Sequence, residues 1–145
     1  MIRPICLATM LVAAPLAAQQ AERFALSGND VAIYNLVGTL SIDRGTGTDV
    51  VVTLTRGGRD ADKLTVERST VRGLPSLGVV YPADHIIYPA MGRHSSTRFT
   101  IRHDGTWDGM DWGRHGHGSN QIEISGTGSG LEAFARLDIS VPPGR

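Results

Sequence analysis

Residues 49–56 read Asp-Val-Val-Val-Thr-Leu-Thr-Arg, and that pattern constrains the fold more than any other. In a pleated strand successive side chains point to opposite faces, so Val50, Val52 and Leu54 share one face and Val51, Thr53 and Thr55 the other. The same period of two recurs at Val31, Ile33 and Val37, at Leu40 and Ile42, at Leu64 and Val66, at Phe99 and Ile101, and at Ile122 and Ile124. In Glu132–Val141 it turns Ala133, Ala135, Leu137, Ile139 and Val141 inward and Glu132, Arg136, Asp138 and Ser140 outward. No stretch of ten or more residues carries the 3.6-residue period of an amphipathic helix.

Turn signals separate these runs: Gly28-Asn29, Gly38, Gly45-Thr-Gly47, Gly57-Gly58, Gly73, Pro82, Gly105 and Gly126-Thr-Gly-Ser-Gly130. Glycine supplies 18 of the 145 residues, well above the usual roughly 7%. Residues 59–64 read as a helical turn. Pro75–Pro89 holds Val79-Val-Tyr81 and Ile86-Ile-Tyr88; because proline cannot donate to a ladder, these are expected to be short or edge strands. The fold class is all-β, with short antiparallel strands in a sandwich, a barrel or a β-solenoid-like arrangement.

Residues 1–18 carry one charge, Arg3, then an apolar run that ends in small residues. These are the parts of a secretory signal peptide, and the run is too short to span a bilayer. Cleavage is expected after Ala18, with Ala17 or Ala21 as other exits, leaving residues 19–145 as one domain without a transmembrane segment. A buried N-terminal helix is the competing reading, and Pro4 and Pro15 count against it. Export fits the periplasm, the outer membrane surface or the medium. Basic and acidic residues balance at 14 each, so the chain lacks the positive field of a general nucleic-acid binder. Cys6 is the lone cysteine, which excludes an internal disulfide framework or a cysteine zinc site.

The segments Val31–Ile42 (VAIYNLVGTLSI), Asp49–Leu54 (DVVVTL) and Leu137–Gly144 (LDISVPPG) together resemble the bacterial adhesin-like domain family of unknown function. These are exported proteins whose "asparagine, one or two residues, glycine, strand" units lead into a stacked β-solenoid. The resemblance spans about residues 22–145 and implies a non-catalytic module; no catalytic residue carries over, because none defines the family. In that family a segment like Val141–Gly144 precedes the most regular Gly-rich rungs. This raises the expectation of a chain truncated at its C-terminus, whose last strand offers an unpaired edge for self-association.

The segment 103–118 concentrates His103, Asp104, Trp107, Asp108, Asp111, Trp112, His115 and His117 between two strands. His115 and His117 point the same way in extended backbone, and imidazole is a common ligand for zinc, copper or nickel. Asp108 or Asp111, or His94 or His103, would complete such a site; the simpler reading is a solvated hairpin tip of glycine and polar residues. The three aspartates miss the every-second-residue spacing of an EF-hand loop. Trp107 and Trp112 supply rigid area for a sugar or a partner pocket, or close the hairpin over the sheet.

Other constellations are weaker. Ser95 and Ser96 adjoin His94, but no Gly-x-Ser-x-Gly elbow accompanies them. Gly126–Gly130 lacks the following helix of a phosphate loop and reads as a turn. Arg98, Arg102 and Arg136 fall on outward strand positions, and Lys63 is the one lysine. No pair of carboxylates falls at a spacing that points to glycoside hydrolysis. The reading is an exported, non-catalytic adhesin-like or structural module that needs no cofactor, partnered by envelope or surface components or by itself. The alternative is an exported metal-binding domain using the 103–118 loop.

Overall fold

The computed structural model describes residues 20–101 and 120–144. The expected export segment lies outside them, as does the 103–118 loop. The described chain is all-β: β1 (Ala21–Leu26), β2 (Ala32–Tyr34), β3 (Gly38–Arg44), β4 (Val50–Gly57), β5 (Thr65–Val71), β6 (Leu74–Val80), β7 (His85–Ile87), β8 (Ser96–Ile101), β9 (Asn120–Ser125) and β10 (Phe134–Val141). Two single 3-10 turns, Ala61–Lys63 and Pro89–Met91, interrupt them. The first falls inside the helical turn expected at 59–64. No helix among the described residues is long and apolar enough to cross a membrane.

The strands form three sheets, ordered β1-β4-β10-β3, β2-β6-β5 and β7-β9-β8. All three are mixed. Beside the antiparallel pairs β1/β4, β4/β10, β5/β6 and β8/β9 stand three parallel pairs, β3/β10, β2/β6 and β7/β9. A parallel pair needs a long crossover, usually a helix. Here the chain between β3 and β10 crosses by way of the other two sheets. Period-two patterning fixes which face a residue takes but not the direction of its neighbour, so the parallel pairs were not legible in it.

The three sheets enclose one core. Val52, Leu54, Leu137, Ala133, Ala135 and Ile86 are fully buried, and Leu64, Leu77, Ile122, Ile124 and Ile139 nearly so. The faces expected for β4 and β10 are the ones observed: Val50, Val52 and Leu54 are buried, as are Ala135, Leu137 and Ile139, while Arg136 is exposed. Each large apolar side chain so buried stabilises the fold by about 1.5–3 kcal/mol before entropy is counted.

Two expectations about strands need correction. The last strand is not an edge: β10 lies between β4 and β3, bonded on both sides. Nor is the proline-bearing segment confined to an edge, because β6 is the middle strand of its sheet. Pro75 is accommodated by its position. β2 reaches only Ser76–Gly78, and on the other side Pro75 faces Thr70, one pair beyond Val71–Leu74, which closes a two-residue turn. Bonded and non-bonded pairs alternate in an antiparallel ladder, so the missing N–H falls where no donor is needed. Arg72 (φ 52°) and Gly73 (φ 84°) make that turn, the double positive φ that matches hairpin twist. β7, only three residues long, is as short as expected.

Candidate functional site

The residues singled out for metal binding, His115, His117, Asp108 and Asp111, lie outside the described residues, as do His103, Asp104, Trp107 and Trp112. His94 is described and stands exposed before β8. Among the described residues no three His, Cys, Asp or Glu side chains come together as a metal site. Besides the surface ion pairs Arg56–Glu22 and Arg98–Glu123, four groups of polar side chains stand out among the described residues.

The first group joins two of the sheets. Tyr81, just after β6, is 8% exposed. Its hydroxyl accepts the Val37 N–H at 3.3 Å and shares its own proton between Asn35 Oδ1 at 2.7 Å and the Val37 carbonyl at 2.6 Å. Asn35 Nδ2 in turn donates to the Ala135 carbonyl of β10 at 3.0 Å. Burial pushes the phenol's pKa far above its ordinary value, despite the opposing backbone hydrogen bonds, so Tyr81 is a neutral tie and not a base. Sequence reasoning treated Tyr81 only as the end of an apolar run; a phenol at the end of a buried strand needs a partner for its hydroxyl, and that was the available signal.

The second group fastens the segment before β10. Asp60 Oδ1 accepts from Lys63 Nζ at 2.7 Å, Oδ2 accepts the Glu132 N–H at 3.0 Å, and the Asp60 N–H donates to the Glu132 carbonyl at 2.9 Å. The Lys63 ammonium, then the Glu132 N–H, hold the Asp60 carboxyl below its ordinary value, and Asp60 raises Lys63 in return. The lone lysine therefore has a structural partner.

The third group is a corner fastening. His85 Nε2 lies 3.0 Å from Ser125 Oγ, which donates to the Thr127 carbonyl, while Thr127 Oγ1 donates to the Arg93 carbonyl. Among the described residues the hydroxyl that meets an imidazole is thus Ser125, not Ser95 or Ser96. It is buried and its proton is directed at a backbone carbonyl, the arrangement of a turn fastening and not of a nucleophile aimed at a substrate. Gly126–Gly130 forms the turn between β9 and Leu131, as expected.

The fourth group lies on one edge of the four-stranded sheet. β1 is its other edge, and β2, β5, β7 and β8 end the three-stranded sheets, but β3 carries the two most exposed large apolar side chains among the described residues. Among the described residues β3 is bonded on one side only, to β10. Leu40 pairs with Leu137 and Ile42 with Ile139, so all four share the core-side face. Leu137 and Ile139 are buried, yet Leu40 is 53% and Ile42 64% exposed, because the core does not extend over the edge. On the other face Ser41 Oγ donates to Asp138 Oδ1 at 2.6 Å, and Arg136 Nε and Nη2 donate to the same carboxylate at 3.1–3.2 Å. Ser41 first, then Arg136, hold Asp138 below its ordinary value.

The phase of the ladder follows from its two ends. The Ala135 N–H donates to the Val37 carbonyl at 3.0 Å and the Gly45 N–H to the Val141 carbonyl at 2.7 Å. Alternation then turns the backbone groups of Thr39, Ser41 and Asp43 toward β10 and those of Leu40, Ile42 and Arg44 outward. Gly38 begins the strand at φ 134°, where a Cβ would overlap the Ala135 carbonyl; glycine there lets β3 come alongside β10. No family model, curated protein or solved structure matches the chain.

Proposed function

We propose that this chain is an exported, non-catalytic β-module of the bacterial cell envelope or surface, adhesin-like or structural, that acts by offering the edge of its four-stranded sheet. The observation that carries the reading is β3: seven residues of edge strand, outward-facing backbone groups, and Leu40 and Ile42 largely exposed. Native edges are ordinarily blunted by charged side chains, lysine above all, by proline, by a bulge or by a covering loop; the charges of β3, Asp43 and Arg44, are confined to its last two positions. Gly38–Arg44 has neither proline nor lysine. The polar clusters elsewhere fasten turns and sheets, which leaves the edge as the described feature best suited to a partner. Parallel pairs in each of three sheets are the neighbour relation that a stacked β-solenoid repeats, and they support the adhesin-like reading. The signal-like residues 1–18 support export.

Fractionating a bacterial host that makes the tagged chain tests this. The expected result is a chain shortened by residues 1–18 or nearly so, recovered from periplasm, outer membrane or medium, and retained on envelope material. An uncleaved chain in the cytosol overturns export. A cleaved chain that neither sediments with envelope or surface material nor retains any component of it overturns the module's proposed role.

A further inference from the structure

We propose that the occupant of the β3 edge is a second copy of this chain, paired antiparallel about a two-fold axis through Ser41; this rests on reading the edge as an interaction surface and adds its partner and register.

The edge is self-complementary in one register. An antiparallel pair centred on Ser41 sets Leu40 against Ile42 of the other copy, twice, and sets Ser41 against Ser41 and Thr39 against Asp43. Apolar meets apolar at the centre of one face, where Arg44 faces Gly38 at either end, and polar meets polar on the other. Moving the centre to Ile42 instead puts Leu40 against Arg44, and a one-residue slip would mix the faces. The backbone agrees with the favoured register. Leu40 and Ile42 are the residues whose N–H and C=O face outward, so the two Leu40–Ile42 pairs are hydrogen-bonded pairs. Ser41–Ser41 is then a non-bonded pair, where side chains stand closest and small residues suit best.

Charge follows the same symmetry. Arg136 lies beside Thr39 in the β3/β10 register, and Thr39 would face Asp43 of the second copy. Each Asp43 therefore stands two strands from the other copy's Arg136 on the same face, about 10 Å at the backbone, where it would share with Asp138 the guanidinium that Asp138 already engages. On the core-side face, the rows Leu54–Leu137–Leu40 and Val52–Ile139–Ile42 would run on across the axis. Leu40 would meet Ile42 of the other copy, giving one eight-stranded sheet in which the flanks of both side chains are covered.

Sedimentation velocity of the full chain from about 1 to 100 μM tests the association, a range suited to a small isologous interface. The expected result is a monomer–dimer equilibrium that Ile42→Lys shifts at least about tenfold toward monomer, with far-UV circular dichroism and melting unchanged at low concentration, since Ile42 is exposed. Register is tested in a Cys6→Ser background. Ser41→Cys is expected to form a disulfide between copies under mild oxidation, because facing residues of a non-bonded pair lie about 4.5 Å apart at Cα. Thr39→Cys is expected not to.

A monomer throughout the range overturns the second copy as occupant. So does a dimer indifferent to Ile42→Lys, or a crosslink at Thr39→Cys in place of Ser41→Cys. A monomer whose Ile42→Lys variant loses retention on envelope material assigns the edge to another partner, and so overturns this inference while leaving the proposed function standing. A dimer that is never exported does the reverse.

Discussion

The Tyr81 hydroxyl engages both backbone groups of Val37, accepting its N–H at 3.3 Å and lying 2.6 Å from its carbonyl oxygen. One phenol thereby satisfies the chain where it passes from the β2 segment into β3, 44 residues away in sequence. The edge strand thus starts from a buried, fully bonded anchor.

Replacing Tyr81 with Phe keeps the ring and removes the tie. Buried donors and acceptors left unsatisfied cost about 1–3 kcal/mol, and that loss is expected in urea unfolding. A change within about 0.5 kcal/mol, the range of an ordinary surface substitution, would contradict the role given to Tyr81.

Gly38→Ala is expected to destabilise the protein by more than the roughly 0.4–1 kcal/mol that the same change returns at a compatible site through the unfolded chain. Its Cβ meets the Ala135 carbonyl, at a positive φ. Gly47→Ala is the control: φ is 92° there but nothing stands within 4 Å, so only the backbone term applies. Thermal melts of the two variants should rank Gly38→Ala well below Gly47→Ala. Equal melting would mean that β3 and β10 are not in close register at Gly38.

Leu137 and Leu40 face each other in the β3/β10 register yet differ in burial, 0% against 53%. Leu137→Ala is expected to cost about 2–5 kcal/mol, as buried Leu→Ala changes do. Leu40→Ala, measured at a concentration where the chain is monomeric, should cost under about 1 kcal/mol. Comparable losses in the two variants would show that the edge is covered within one chain.

Acid should weaken the fold through Asp60 and Asp138, whose carboxyls sit below their ordinary 3.8. A depressed folded-state pKa means that the unfolded chain binds more protons in acid. The stability these groups contribute is therefore fully present above about pH 5 and is lost as pH falls through 3.8 toward the folded-state values. Urea midpoints from pH 7 to pH 2 should show Asp60→Asn below wild type at neutral pH, with the gap closing in acid. A gap independent of pH would contradict the assignment.

Sequence patterning identified what is local. The faces of β4 and β10 followed from alternation, and the turns at Gly73 and Gly126–Gly130 followed from glycine. What it missed is non-local. That β10 lies beside β3, and that their pairing is parallel, depends on contacts between segments almost a hundred residues apart. Leu40 and Ile42 alternate as well as any buried pair, so periodicity alone did not set them apart from the core. Their exposure arises because the core ends at β10. β1 gave a weak signal because Glu22 shares its face with Phe24 and Leu26, and that glutamate is held by Arg56 at 2.7 Å.

The most direct test of the account is residue-resolved amide exchange along β3 as concentration rises. At low concentration the N–H groups of Thr39, Ser41 and Asp43, bonded to β10, should exchange slowly, while those of Leu40, Ile42 and Arg44 exchange fast. As concentration increases, Leu40 and Ile42 should become protected. Protection of Leu40 and Ile42 that is already complete at low concentration and does not change, or fast exchange at every concentration, would contradict an open edge that receives a second copy.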